Sequence, residues 1–294
     1  MFLSNSFINY SDSNIGAFLV TYDNYDKISI ISNCSLFQSG YFSFSLFDLD
    51  LTILQIDGFY FFNNTSVLLF SINCTIVLSN ISIFNHECQS LDGCLFSLSA
   101  NSLLSLSSSA FTNVHNDKDS GNVYLLSSQA MFTNVLMVNF TTTSENAAFL
   151  LSYSSEVVVF GSHFSNYSSN CIEFWDGQLS INQTIFSNRM MKNNIKVENF
   201  GVVSCQNCEQ FSLFQSYFEF NFFNVLNGGA CLALSINIDF TYDEYLIMNN
   251  TFINNLAISG GSIYLFNVKA EISSCLFENN FAEEGGALYL DDSG

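Results

Sequence analysis

Apolar and polar residues alternate in short bursts along the whole chain. Ile53–Phe59 reads ILQIDGF, Ile76–Phe84 reads IVLSNISIF, Leu103–Phe111 reads LLSLSSSAF and Glu271–Phe277 reads EISSCLF. A period of two marks strands with one buried face. The 3.6-residue spacing of amphipathic helices is rare, and capping boxes ahead of apolar runs are not evident. The bursts recur at regular intervals, so the chain is a repeat array.

Two copies of the repeat are clearest. Asn250–Tyr264 reads NTFINNLAISGGSIY and Leu276–Tyr289 reads LFENNFAEEGGALY. In both, a Phe (Phe252, Phe277) precedes an Asn by three residues (Asn255, Asn280). A Gly-Gly pair follows, at Gly260–Gly261 and Gly285–Gly286. A third copy runs from Phe218 through Asn221 to Gly228, Gly229 and Ala230. Upstream copies are degenerate, as in Phe164 with Asn166, Phe186 with Asn188 and Phe111 with Asn113. Taking Phe7, Phe37, Phe61, Phe84, Phe111, Phe140, Phe164, Phe186, Phe218, Phe252 and Phe277 as equivalents predicts eleven units.

One unit cannot bury its own apolar face, but stacked units can. Strands pairing at about 4.8 Å merge their inner faces into one core, so eleven units would span about 50 Å. The expected fold is all-β: a right-handed parallel β-helix, or solenoid, of 10–11 coils, its hand set by the crossover rule. A single repeat domain then occupies residues 1–294. The repeated residues have structural duties. The Phe column should stack in the core. The Asn column should both turn the chain in a left-handed conformation and bond its stacked equivalent. The Gly pair should supply positive φ at the corner.

Composition fits this picture. Hydrophobic residues make up 49% of 294, with 33 Phe and no Pro, which excludes a disordered chain. Twenty-six acidic residues against five Lys and one Arg leave a net charge of −20. Such a surface repels phosphates, which excludes nucleic acid as a partner. No apolar run of about 18 residues is present, so no transmembrane segment is expected. The first residues lack the basic region and apolar core of a signal peptide. Both termini read as the middle of a repeat, as in a fragment of a longer array.

The search for chemistry is less rewarding. For divalent cations the candidates are Asp239, Asp243 and Glu244, or Glu283, Glu284, Asp291 and Asp292, and neither set matches a known calcium loop. For polysaccharide cleavage, which needs paired carboxylates across one groove, the positions to inspect are Asp48, Asp50, Glu173 and Asp176, with Arg189, Lys192 and Lys196 nearby. Alternation explains these as outward-facing strand residues. Nine Cys occur, and Cys205 and Cys208 form a lone CxxC without the second pair a zinc site needs. Cys34 and Cys275 sit at apolar strand positions and should pack as small hydrophobes. His86, His115 and His163 are isolated. The expected catalytic, cofactor and metal sets are therefore empty. Ten N-x-S/T sequons, at Asn9, Asn33, Asn63, Asn64, Asn73, Asn80, Asn139, Asn166, Asn182 and Asn249, weakly favour a glycosylated surface protein.

The FxxN and GGA-like motifs over residues 218–290 resemble the repeats of the polymorphic outer-membrane protein family. The matching residues are Phe218/Asn221 with Gly228–Ala230, Phe252/Asn255 with Gly260–Tyr264, and Phe277/Asn280 with Gly285–Tyr289. The resemblance implies an extracellular or cell-surface β-helix used in adhesion, or as a spacer, with surface glycans or proteins as partners. No enzymatic activity is expected, because the residues offer no catalytic constellation. The alternatives are a divergent carbohydrate-active β-helix enzyme and an incomplete repeat fragment.

Overall fold

The structure is a computed structural model that describes residues 2–4, 7–10, 19–21, 28–38, 47–50, 53–62, 69–88, 95–116, 121–142, 149–168, 170–189, 201–223, 231–235 and 245–291. Among the described residues every element is a β-strand and no helix occurs. No helix is therefore long and apolar enough to cross a membrane. All strand pairings are parallel.

The pairings form three ladders. In-register positions of the first run Leu19, Phe47, Leu69, Phe96, Val123, Leu150, Ile172, Val203, Leu232, Ile263 and Leu288. The second runs Leu3, Ile31, Ile56, Leu78, Leu106, Phe132, Val159, Ile181, Leu213, Ile247 and Ile272. The third, the Phe ladder, runs Ile8, Leu36, Phe61, Ile83, Phe111, Met137, Phe164, Phe186, Phe218, Phe252 and Phe277. Each ladder thus passes through eleven levels, and the three share one apolar interior. This arrangement fits a β-solenoid. Long strands such as Thr75–Cys88 serve two ladders, turning the corner without breaking.

Rings stack along the Phe ladder as the repeat predicts. From Phe164 to Phe277, successive centroids lie 4.8–5.3 Å apart and the planes differ by 9–16°. Upstream, four of the expected equivalents are misplaced. The register positions are Ile8, Leu36 and Ile83, not Phe7, Phe37 and Phe84. A one-residue slip moves a side chain to the opposite face. Ile83 is accordingly fully buried and Phe84 is exposed. The fourth position is Met137; Phe140 lies three residues on, in register with Val114. It is buried too, stacked on Tyr167 at 5.2 Å.

In the middle levels one Asn carries both duties, since the corner residue Asn113 donates from Nδ2 to Asn85 Oδ1 at 2.8 Å and Asn139 donates to Asn113 Oδ1 at 3.1 Å, whereas in the C-terminal levels the amide ladder passes to the next residue. The residue two after the ladder position is left-handed: Asn85, Asn113, Asn139, Asn166, Asn188, Asn254 and Asn279 all have φ of 52–57°, and Phe220 takes the same conformation at 54°. The residue three after it points inward. Asn255 Nδ2 donates to Asn280 Oδ1 at 2.9 Å and to Phe218 O at 3.1 Å, while its main-chain N–H donates to the same Oδ1 at 3.1 Å. Asn221 repeats this pattern on Asn255 Oδ1 and Phe186 O. Buried amides need such partners, and here each satisfies the next.

The glycine pair is divided in the same way. Only the first member has positive φ, +62° at Gly260 and +60° at Gly285. Gly228 and Gly229 lie outside the described residues. Other corners use a buried hydroxyl that no repeat motif announces. Ser109, Ser155, Ser162 and Ser216 each accept a main-chain N–H from the level before and donate to a carbonyl two residues earlier. Cys275 lies against the core with its thiol on the Ser273 carbonyl, a sulfur version of the same contact.

Candidate functional site

The outer side of the corner between the first and second ladders carries a polar groove of about 440 Å³. Its lining includes Asn101, Gln129, Ser154, Glu156, Asp176, Gln178 and Glu209. An adjoining hollow of about 320 Å³ shares Glu156 and Gln178 and continues over Ser180, Ser212 and Leu246. Repetition places these groups. Asn101, Ser127, Ser154 and Asp176 are all left-handed corner residues with φ of 48–64°, so their side chains face outward at successive levels.

Glu209 reaches the groove by an irregularity. Gly177 pairs with Cys208 but Gln178 pairs with Gln210, leaving Glu209 as the extra residue of a bulge. Three features hold it. A disulfide joins Cys205 to Cys208 across the corner, with Cα atoms 5.9 Å apart. The buried Tyr245 hydroxyl donates to the Cys208 carbonyl at 2.6 Å. Gly177, at φ +94°, lets the chain pass close to Ser155, whose carbonyl would lie 2.1 Å from an added Cβ. The lone CxxC is thus a structural bridge between buried sulfurs.

Glu156, Asp176 and Glu209 all stand exposed to water. Gln129 Nε2 donates to Glu156 Oε2 at 3.1 Å. Neither Glu156 nor Glu209 belongs to any motif. Of the carboxylates singled out in the sequence, only Asp176 lines the groove. Glu173, on the same strand, is buried and accepts from Trp175 Nε1 at 3.0 Å. Trp175 stacks on Tyr153 at 6.3 Å, and Tyr153 lies 6.1 Å from Tyr124, so an aromatic row runs beside the corner.

The remaining candidates scatter. Asp48 and Asp50 pair with Phe70 and Ile72. Glu283 and Glu284 are exposed at the last level, where Asp291 pairs with Phe266. Asp239, Asp243, Glu244, Asp292, Lys192 and Lys196 lie outside the described residues. Arg189 faces the interior: its guanidinium carbon sits 3.5 Å from the Phe223 ring centroid and Nη1 donates to the Phe222 carbonyl. Burial lowers its pKa to about 10. Among the described residues, no group of three or more His, Cys, Asp or Glu is placed to hold a metal ion.

His163 and His115 each meet a hydroxyl. His163 Nε2 lies 3.4 Å from Ser187 Oγ, and burial lowers the His163 pKa. No described carboxylate is bonded to its other ring nitrogen. His115 Nδ1 meets Thr141 Oγ1 at 2.6 Å. The Cys171 and Cys231 thiols are pushed well up by burial, which makes them poor nucleophiles.

Five of the sequon residues lie at corners. Asn73, Asn80, Asn139, Asn166 and Asn249 are left-handed corner residues. Compared with protein-family models, with curated proteins and with solved structures, the chain matches none.

Proposed function

We propose that this chain is a right-handed parallel β-helix that works at a cell surface or outside the cell, as an adhesive module or spacer, with the corner groove as its ligand face. The observation that carries the reading is the groove itself: exposed amides, hydroxyls and carboxylates in rows along the stack, beside an aromatic row. Side chains of this kind suit polar ligands such as surface glycans or proteins. The hand rests on the near-universal right-handedness of parallel crossovers. The FxxN and GGA-like repeats support a surface role by resemblance. The Cys205–Cys208 disulfide suits an oxidising compartment. The net charge of −20 disfavours nucleic acid.

A second reading, a carbohydrate-active enzyme, is favoured by the three carboxylates in one groove. All three stand in water, whereas a glycosidase acid works from a drier site that keeps it protonated. One assay separates the readings. The folded chain is incubated with immobilised polysaccharides and glycoproteins, and both retention and newly released sugar ends are measured. Retention lost in an Asp176→Asn/Glu209→Gln variant, with no ends released, is the expected result. Release of reducing or unsaturated ends, abolished by Glu209→Gln, would replace adhesion with catalysis.

A further inference from the structure

The outer side of the Phe ladder carries side chains that neither the core nor the groove uses. The residue before each ladder position points outward. In register these residues form one column, from Tyr60 through Leu136, His163, Ile185 and Tyr217 to Leu276. Tyr60 is 52% exposed, and Leu136 and Ile185 are each 40% exposed. In the next outward column Phe84 is exposed and Val138 and Ile253 are half-buried. The chain has a net charge of −20, yet from Tyr60 to Ser187 no described side chain in these two columns is Asp, Glu, Lys or Arg. The first carboxylate among the described residues of the face is Glu219.

Amides flank the apolar columns. Asn80, Asn134 and Gln183 stand at the corner on one side, and Asn113, Asn139 and Asn166 at the corner on the other. An apolar centre depleted of charge, inside a polar rim, is the anatomy of a protein–protein contact. The face is about 40 Å long and about 20 Å wide, roughly the 800 Å² that one partner buries in an interface of ordinary size.

The order of the column points to the occupant. Counted outward from His163, Leu136 and Ile185 lie one level away, Ser82 and Thr251 three, and Tyr60 and Leu276 four. Aliphatic matches aliphatic, hydroxyl matches hydroxyl, and bulky matches bulky. Only the pair at two levels, Ala110 and Tyr217, differs in size, and there a small residue leaves room for a ring. A two-fold axis through His163, perpendicular to the sheet, sets each residue against the other member of its pair in a second copy. The same rotation puts Glu219 opposite the corner residue Ser108, not opposite another carboxylate.

We propose that the outer side of the Phe ladder is a self-association face, on which a second copy of this chain packs about a two-fold axis at His163. The two sheets then face each other at about 10 Å. The two His163 rings meet at the axis. Leu136, Ile185, Ser165 and Ser187 surround each ring and carry no charge, and Ser187 Oγ lies 3.4 Å from Nε2. On this face Glu219, two levels on, is the first charged group in either direction among the described residues. Burial already lowers the His163 pKa in the single chain. Packing deepens that burial, so the dimer binds fewer protons than two free chains and loosens as pH falls through the histidine range.

Sedimentation velocity over a concentration series tests this. The 294-residue chain should dimerise at neutral pH with a roughly micromolar dissociation constant, the weak end for this area. Leu136→Glu and Ile185→Lys, both at exposed outward positions, should each weaken dimerisation at least about tenfold. The two substitutions in one chain should recover at least about fivefold, because these side chains stand two levels apart within a chain and meet only across the axis. Lowering the pH from about 7.5 to about 5.5 should weaken the unsubstituted dimer at least about fivefold, and His163→Gln should remove that dependence. A chain that stays monomeric at every concentration would overturn the proposal, as would a dimer indifferent to Leu136→Glu or a double variant no tighter than the single ones. A monomer that floats with phosphatidylcholine vesicles would give the face to a lipid surface and overturn it as well.

Discussion

The middle levels and the C-terminal levels close the same inner corner with opposite chemistry. Three residues beyond the Phe-ladder position, the middle levels place Val114, Phe140 and Tyr167, all fully buried. The C-terminal levels place Asn221, Asn255 and Asn280 there. Apolar filling tolerates variation in size and shape as long as volume is conserved. An amide ladder does not, because a missing member leaves buried donors and acceptors unpaired. That difference explains why the repeat is sharp from Phe218 onward and blurred before it. The switch lies at one level. Arg189 pairs with Asn221 in register, and the Tyr167 hydroxyl reaches past it to donate to Asn221 Oδ1 at 2.6 Å.

Substitutions can break or sharpen this contrast. The largest effect is expected from Phe252→Ala. It removes a ring held between Phe218 and Phe277, at 5.1 and 5.0 Å, and should cost about 4 kcal/mol. In a stack whose levels touch only their neighbours, the damage should stay local. Hydrogen exchange should therefore quicken over 218–291 and leave 95–165 unchanged; uniform quickening would mean the two regions unfold as one.

Exchanging the two corner chemistries comes next. Asn255→Leu leaves the Asn221 and Asn280 side chains without their partner and should cost about 3 kcal/mol in urea unfolding. Val114→Asn buries one amide with no ladder to join and should cost about 2 kcal/mol. If Asn255→Leu proves neutral, the amide ladder is dispensable and the contrast fails.

The smallest effect concerns pH. Burial lowers the His163 pKa, so the folded state binds fewer protons there than the unfolded state. Its stability is complete above the ordinary histidine range and falls as pH drops from about 6.5 toward the lower folded value. His163→Gln should flatten that part of the stability curve. Asp57 acts separately at lower pH. Hydrogen bonds from Ser79 and Asn80, at 2.7 and 2.8 Å, lower its pKa, so its contribution disappears as pH falls through the carboxylate range. A curve left unchanged by His163→Gln would assign the whole acid slope to carboxylates.

Much of the fold was legible in the residues, and almost none of the groove. Glu156 and Glu209 carry no motif, and they meet Asp176 only because ladder register brings three separate strands to one corner. Glu209 needs a bulge as well, and Cys205, Cys208 and Tyr245 hold that bulge through contacts 3 and 37 residues apart. The buried Ser column was equally hidden, since Ser is common enough here to look like surface.

The sequence by itself determined the all-β class, the unit spacing and the stacked rings from Phe164 onward, because period-two alternation and repeated Phe are local signals. It also marked the Gly-Gly pairs and the Asn positions. Only the tertiary structure decided which residue of each run faces inward, as with Ile83 over Phe84. It alone showed that the amide ladder of the C-terminal levels sits one residue beyond the corner Asn, and it divided the Gly duties between neighbours. The physical reason is the same throughout: a strand's facing and a glycine's necessity depend on the level stacked above, which lies 22–34 residues away and reveals itself only once the register is set.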